Sequence, residues 1–205
     1  MVKLRGSKSL SYHTTQELER ILNQRSIKKI TRDGIFTPAA VMLMLKEEKD
    51  EYSILFIKRS ERSEDVFSGH MALPGGKMKE EDENKLRTAV RETFEETGID
   101  LDREGRIIGE LDDFYPVNPR ANHYVVTPFV SLLTACTDVN PNEEVAEALW
   151  IPLSDLKDER TLEVRIVEKN KIRVKDYFFR YKGYVIWGMT GRILYKFISL
   201  TGHLF

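Results

Sequence analysis

The sequence predicts an α/β fold in which strands dominate, with one helix before them, one among them and one at the end. Three observations carry this. Two apolar runs, TPAAVMLML from Thr37 and EYSILFIKR from Glu51, flank the polar turn Glu47-Glu48-Lys49-Asp50. Apolar residues recur at helical spacing between Leu86 and Thr97, and alternating segments resume beyond them. A chain of 205 residues buries one sizeable core more readily than two small ones. The expected organisation is therefore a single domain over 1–205, with its core at about 36–200 and an N-terminal helical extension over 1–35.

In chain order, Thr14 or Thr15 can cap a helix running to about Gln24, with Leu18, Ile21 and Leu22 on one side as a packing or dimer contact. Thr37 to Leu45 reads as a strand buried on both faces, and Glu51 to Arg59 as its hairpin partner. A polar loop from Ser60 leads to His70-Met71-Ala72-Leu73-Pro74-Gly75-Gly76. The helix that follows carries Leu86, Ala89, Val90, Phe94 and Thr97 on one side and stops at Gly98. Arg106 to Tyr115 reads as a strand entering a turn rich in Pro116, Asn118, Pro119 and Arg120. His123 to Leu133 reads as another, with Pro128 marking a bulge or an edge. LEVRIV and IRVKDYFF form a hairpin pattern, and the chain closes in a helix to about Leu200 that packs Trp187, Ile193, Leu194, Phe197 and Ile198.

Composition narrows the function classes. At 41% hydrophobic and 32% charged residues the chain reads as a soluble globular protein, and a net charge of −1 gives no general attraction to nucleic acid or anionic membrane. Cys136 is the one cysteine, so no intramolecular disulfide can form and a small core residue in a reducing compartment is expected. The first residues lack the apolar run of a secretory signal, and no apolar stretch reaches about 18 residues, which makes a cytoplasmic location the expectation.

Glu92, Glu95 and Glu96 stand at i, i+3 and i+4, on one helical face. Like charges so placed cost about 0.2–0.5 kcal/mol per pair on an exposed helix. A solvated acidic face is the plain explanation. Two neighbouring features favour a functional one: Gly75-Gly76 allows close backbone approach, and Arg91 can orient the first carboxylate through a forked hydrogen bond. Hard oxygen ligands around an open space are what Mg²⁺ or Mn²⁺ requires.

Arg91-Glu92-Thr93-Phe94-Glu95-Glu96-Thr97-Gly98-Ile99 resembles the second half of the Nudix box, G-x5-E-x7-R-E-U-x-E-E-x-G-U with U bulky and apolar. Thr93 departs from the apolar position. Counted from Gly76, the acidic position falls on Asp82, and eight residues rather than seven separate it from Arg91. This lengthened box is similar to that of the coenzyme A pyrophosphatase branch. LFIKRSERSEDVFSGHMALPGG also resembles the stretch that precedes the box in that branch, with Leu73 in place of Phe, and IWGMTGRIL resembles a later element of it.

The resemblance implies an α/β/α sandwich around a mixed sheet. It also implies hydrolysis of a nucleoside diphosphate derivative with Mg²⁺ or Mn²⁺, on a small nucleotide substrate. From the charge no nucleic-acid or membrane partner is expected, and the N-terminal helix allows for a homodimer. Glu92, Glu96 and Glu95 would be metal ligands with the Gly76 carbonyl, and Arg91 would orient Glu92. The water's proton would pass to Glu92 or Glu95, or to Glu143 or Glu144 in the NPNEEV loop, where the family often supplies a further acidic group. Asp82 is expected to meet Arg91 or cap the helix. Arg59, Arg62, His70 and Arg120 are candidates for phosphate, and Tyr115 for stacking a base; each also has an ordinary surface or core reading. Coenzyme A or an acyl derivative is the expected substrate. ADP-ribose or another nucleoside diphosphate sugar, and a non-catalytic nucleotide-sensing module, remain alternatives.

Overall fold

The computed structural model describes residues 7–31, 36–49, 51–61, 67–116, 123–134, 138–169 and 172–205. Arg62, Arg120 and Cys136 lie outside them.

The strands are β1 (Thr37–Glu48), β2 (Glu51–Arg59), β3 (Met71–Ala72), β4 (Gly75–Lys77), β5 (Gly105–Glu110), β6 (Tyr124–Leu133) and β7 (Val145–Pro152), followed by β8 (Leu162–Lys169), β9 (Ile172–Tyr181) and β10 (Tyr184–Ile186). The helices are α1 (Ser7–Gln24), α2 (Lys85–Thr97), α3 (Leu101–Glu104), α4 (Leu153–Lys157) and α5 (Gly188–Thr201). The first seven strands form one mixed sheet along the path β3-β2-β1-β6-β5, with β4 on β1 and β7 on β2; β10-β9-β8 form a second, smaller sheet. β1 runs parallel to β6 and antiparallel to β2 and β4.

Alternation along the central strands divides the core in two. Ala40, Met42 and Met44 of β1, Leu55 of β2 and Phe129 of β6 pack with Ala89 and Val90 of α2. The residues between them, Leu43, Leu45, Ile54, Phe56 and Val130, pack with Leu18 and Leu22 of α1 and Ile193, Leu194 and Phe197 of α5. This is the α/β/α sandwich. The run TPAAVMLML has no polar alternation because helices cover both of its faces.

β1 and β2 pair only near their turn, from Leu45↔Ile54 to Glu48↔Glu51. Beyond that they splay, and the segment 71–77 enters the wedge. It bonds β2 through Ile57↔Ala72 and Lys58↔Met71, and β1 through Ala39↔Lys77 and Val41↔Gly75. The Met42 N–H donates to the Pro74 carbonyl at 2.8 Å at the bridge between the two. The sheet therefore holds Gly75 and Gly76 at its fork.

Several expectations are corrected. α1 begins at Ser7, a full two turns before Thr14. Pro128 is neither at an edge nor in a bulge: β6 lies between β1 and β5, and the β5–β6 register shift falls between Ile107 and Gly109, opposite Ser131 and Val130. Its missing N–H falls between the Glu110↔Phe129 pair and the Phe114↔Val126 bridge, where no β5 partner requires it. Phe94 does not face the core but is 57% exposed, whereas Thr88, Thr93 and Thr97 are buried. Trp187 precedes α5 instead of packing within it, and is 38% exposed.

The stretch after α1 is clasped to the end of β5 by charge. Arg25 Nη1 donates to Asp112 Oδ1 at 2.5 Å, the Lys28 N–H donates to the same oxygen at 3.0 Å, and Lys196 of α5 lies 3.0 Å from Oδ2. Burial alone would raise the Asp112 carboxyl, yet the Lys28 N–H, Arg25 and Lys196 together hold it at about 2. A depressed carboxyl contributes stability that is present above its unfolded value and lost as pH falls through the folded one. Asp112→Asn is expected to cost about 1–2 kcal/mol at neutral pH, allowing for the partial exposure of Lys196. Thermal melts of the two proteins should converge near pH 2; a constant difference down to that pH would exclude the clasp.

Candidate active site

α2 is started by Asn84, whose side chain accepts the Arg87 N–H at 3.0 Å, and is closed by Gly98 in the left-handed region, whose N–H donates to Phe94 O. The rotation of its buried face toward threonines costs little, because their hydroxyls bond backward along the helix. Thr93 Oγ1 donates to Ala89 O at 2.7 Å and Thr97 Oγ1 to Thr93 O at 2.6 Å. That rotation decides where the glutamates point. Glu96 turns inward and is 2% exposed, while Glu95 stays at the surface and Glu92 lies between them.

Arg91 is the hub of the cluster. Its Nε and Nη2 fork onto the two oxygens of Asp82, both at 2.9 Å, and Nη1 donates to Glu92 Oε1 at 2.7 Å and to Glu95 at 3.2 Å. Asp82 also accepts the Thr88 hydroxyl at 3.0 Å and the Lys79 N–H at 2.9 Å. The forked guanidinium, with these two donors, holds the Asp82 carboxyl well below the usual carboxylate range. Asp82 thus fixes the arginine that fixes Glu92, and the eight residues between Asp82 and Arg91 do not prevent the box loop from closing on its helix.

The glycines of the fork complete the site from the sheet side. The Gly75 N–H donates to Glu96 Oε2 at 2.8 Å. Gly76 lies against Glu92 so closely that a Cβ there would stand 2.6 Å from the carboxyl carbon. Burial raises the Glu96 carboxyl to about 8, against the Gly75 N–H; the charges of Glu92 and Glu144 raise it further, and that of Arg59 opposes them. Arg59, Gly75, Glu92 and Glu144, from four segments, therefore all act on Glu96 here.

Other candidates divide. The loop holding Glu143 and Glu144 is tied to the end of β2, where the Ser60 N–H donates to Glu144 O and Ser60 Oγ to Glu143 O, both at 2.8 Å. The carbonyl of His70 accepts the Arg59 N–H at 3.0 Å, and its ring lies 4.8 Å from that of Trp187. Tyr115 meets Phe36 edge-on at 6.2 Å, and its carbonyl accepts Arg192 Nη1 at 3.2 Å. Lys79, 3.5 Å from Glu95, was missed from sequence because nothing in the polar box loop distinguishes it from a solvated lysine.

Among the described residues, no three His, Cys, Asp or Glu side chains converge as a metal-holding group. Each glutamate is turned by its own donor: Glu92 by Arg91, Glu95 by Arg91 and Lys79, and Glu96 by the Gly75 N–H. The donor set nonetheless fits a hard cation. It is all oxygen, and a carboxyl raised first by burial and then by the charges of Glu92 and Glu144 is the load that Mg²⁺ or Mn²⁺ would relieve.

The family model described as the NUDIX domain matches residues 36–169. Nudix hydrolase 15, mitochondrial, of Arabidopsis thaliana is 35% identical over 190 residues, covering 87% of this chain and 64% of that protein. An uncharacterized Nudix hydrolase of Photorhabdus laumondii is 31% identical over 130 residues, covering 63% of this chain and 67% of that one. The chain spans less than two thirds of the Arabidopsis protein, and 32% of an uncharacterized Schizosaccharomyces pombe protein that is 40% identical over 107 residues. In fold, it is similar to a MutT/nudix family protein from Enterococcus faecalis, with a TM-score of 0.56 over 95% of this chain and 74% of that one at 18% identity. Matched by the family model over 36–169, and by a named Nudix hydrolase over 87% of its length, the chain belongs to the NUDIX domain family.

Proposed function

We propose that the chain is a divalent-cation-dependent diphosphatase of nucleoside diphosphate derivatives. Its proposed substrate is coenzyme A or an acyl derivative, split by water into 3′,5′-ADP and (acyl-)4′-phosphopantetheine. The observation that carries the hydrolytic reading is Glu96, a buried carboxyl raised to about 8 beside Glu92 and Glu144. A fold that needed only stability would not place three acids there. Hydrolases of this family generally use divalent ions such as Mg²⁺ or Mn²⁺. When bound, such an ion supplies neutralisation of the diphosphate charge and a lowered pKa for the attacking water.

Glu92 and Glu96, one turn apart, are assigned as holders of the ion, with Glu95 completing the set. Gly76 leaves the room that a side chain would take from Glu92. Arg91, locked by Asp82, keeps Glu92 oriented. Arg59, whose charge reaches Glu96, is assigned to a substrate phosphate. The proton leaving water is assigned to a glutamate of this cluster, Glu92, Glu95 or Glu144.

Coenzyme A is supported by the meeting of two segments that are distant in sequence. The stretch before the box and the IWGMTGRIL run, each resembling the coenzyme A branch, touch where His70 and Trp187 lie 4.8 Å apart, next to Arg59. The test is a competition assay among coenzyme A, its 3′-dephospho form and ADP-ribose with Mg²⁺ or Mn²⁺, against a chelated control. Preferred cleavage of coenzyme A is expected. Equal cleavage of all three would mean that no 3′-phosphate pocket exists, and no cleavage of any would leave a nucleotide-sensing module.

A further inference from the structure

We infer that the aromatic row Phe67, His70, Trp187 and Phe178 is a stacking subsite for the purine base of the nucleotide half, with Trp187 as its specificity-determining residue. This rests on the diphosphatase reading and says which part of the substrate lies on which surface. The rings come from three separate segments: the loop before β3, the entry to α5, and β9. Phe67 stands 6.2 Å from His70 at 72°, His70 4.8 Å from Trp187 at 58°, and Trp187 6.0 Å from Phe178 at 4°. Beyond Phe178, the Arg165 guanidinium lies 4.5 Å from its ring centre.

Three features separate this row from ordinary packing between the sheets. The first is exposure: Trp187 keeps 38% of its surface open, while Phe179, next along the same strand as Phe178, keeps 1%. An indole left that open on a rigid frame carries an unmet apolar load, and a flat ligand could cover it without first ordering the ring. The second is position. The His70 carbonyl accepts the Arg59 N–H at 3.0 Å, and the charge of Arg59 reaches Glu96. The row therefore joins the segment that runs on to Gly75, whose N–H meets Glu96 at 2.8 Å.

The third is chemistry. Trp187 and Phe178, parallel within 4° and with the Arg165 cation beyond, offer the flat surface that suits a planar heteroaromatic base, whose stacking needs no particular hydrogen-bond pattern. The flexible amide-bearing pantetheine arm has no plane to offer it. On this assignment the base and the cations fix one half of the substrate, and the other half is read by the rest of the site.

The experiment uses the full chain and two readouts. Trp187 and Trp150 are its two tryptophans, so 5′-AMP, used without metal, should quench the part of the fluorescence that belongs to Trp187. Trp187→Phe keeps a ring but removes that fluorophore, so the quench should vanish. Trp187→Ala should raise KM about tenfold with kcat little changed, as loss of ground-state stacking requires. Melting temperatures identify a variant that fails to fold, and in that event Trp187→Phe and the wild-type quench decide alone. Unchanged fluorescence with AMP, a quench that persists in Trp187→Phe, or equal quenching by 4′-phosphopantetheine would overturn the inference. Turnover without an AMP quench would remove the subsite and leave the diphosphatase; a quench without turnover of any diphosphate would do the reverse.

Discussion

Glu96→Gln will lower turnover by about a thousandfold while the protein stays folded. The glutamine oxygen can still accept the Gly75 N–H, so the contact between α2 and the fork survives, and what is lost is the charge available to a cation. Stability supplies the second half of the expectation. Burial, with the charges of Glu92 and Glu144, raises the wild-type carboxyl to about 8 against the Gly75 N–H and Arg59. A raised carboxyl is most favourable to the fold while protonated in both states, below about 4.5, and that contribution is lost as pH rises toward 8. In chelator, Glu96→Gln should therefore match the wild type near pH 4.5 and exceed it by on the order of a few kcal/mol at alkaline pH. Melts at the two pH values, beside kcat at saturating Mg²⁺, measure both. A variant that melts far below the wild type at every pH would show Glu96 to be a structural residue.

The two adjacent glycines should fail in opposite ways. Gly75 has φ 152, and a Cβ on it would stand 2.3 Å from Ala40 O and 2.6 Å from Val41 Cα. Both obstacles are backbone of β1, so Gly75→Ala must push β4 off its ladder and disturb the N–H that meets Glu96. A loss of more than about 3 kcal/mol is expected. At Gly76 the obstacle is the Glu92 carboxyl, with its three atoms 2.6, 2.7 and 2.8 Å from the added Cβ. A side-chain end can swing aside. Gly76→Ala should keep stability within about 1 kcal/mol and lower kcat about a hundredfold, because the displaced carboxylate is one of those assigned to the cation. Denaturant titration and steady-state kinetics on both variants separate the cases; equal losses of stability would mean that the Glu92 side chain is held too rigidly to yield.

What the sequence disclosed, and what it hid, follows from how each feature is held together. The β1–β2 hairpin was legible because a continuous apolar run, a charged turn and a second apolar run are local signals. The box was legible as a motif, and with it the carboxylates and Arg91. The facing of α2 was not, because hydropathy favours Phe94 over Thr93 for the interior. Thr93 and Thr97 satisfy their hydroxyls within the helix and can be buried, and no reading of apolar periodicity registers that. β3 and β4, two and three residues long, exist only through their partners on β2 and β1. The strand character of β7 is hidden by its half-buried middle. Glu144 was nameable from its loop, but its electrostatic reach to Glu96 depends on Ser60 pinning that loop.

The wedge between β1 and β2 also dictates an order of assembly. The hairpin joins neighbours in sequence and can close early, whereas β1 meets β6 only when Thr37 finds Tyr124, across most of the intervening chain. Segment 71–77 has two flanks to satisfy, so it has no complete seat until the two strands have formed and diverged. Glu96 finds its Gly75 donor only when that segment is seated. In a refolding chain the hairpin would come first and the carboxylate cluster last, so recovery of activity would time the closing step of folding and trail every signal of secondary structure.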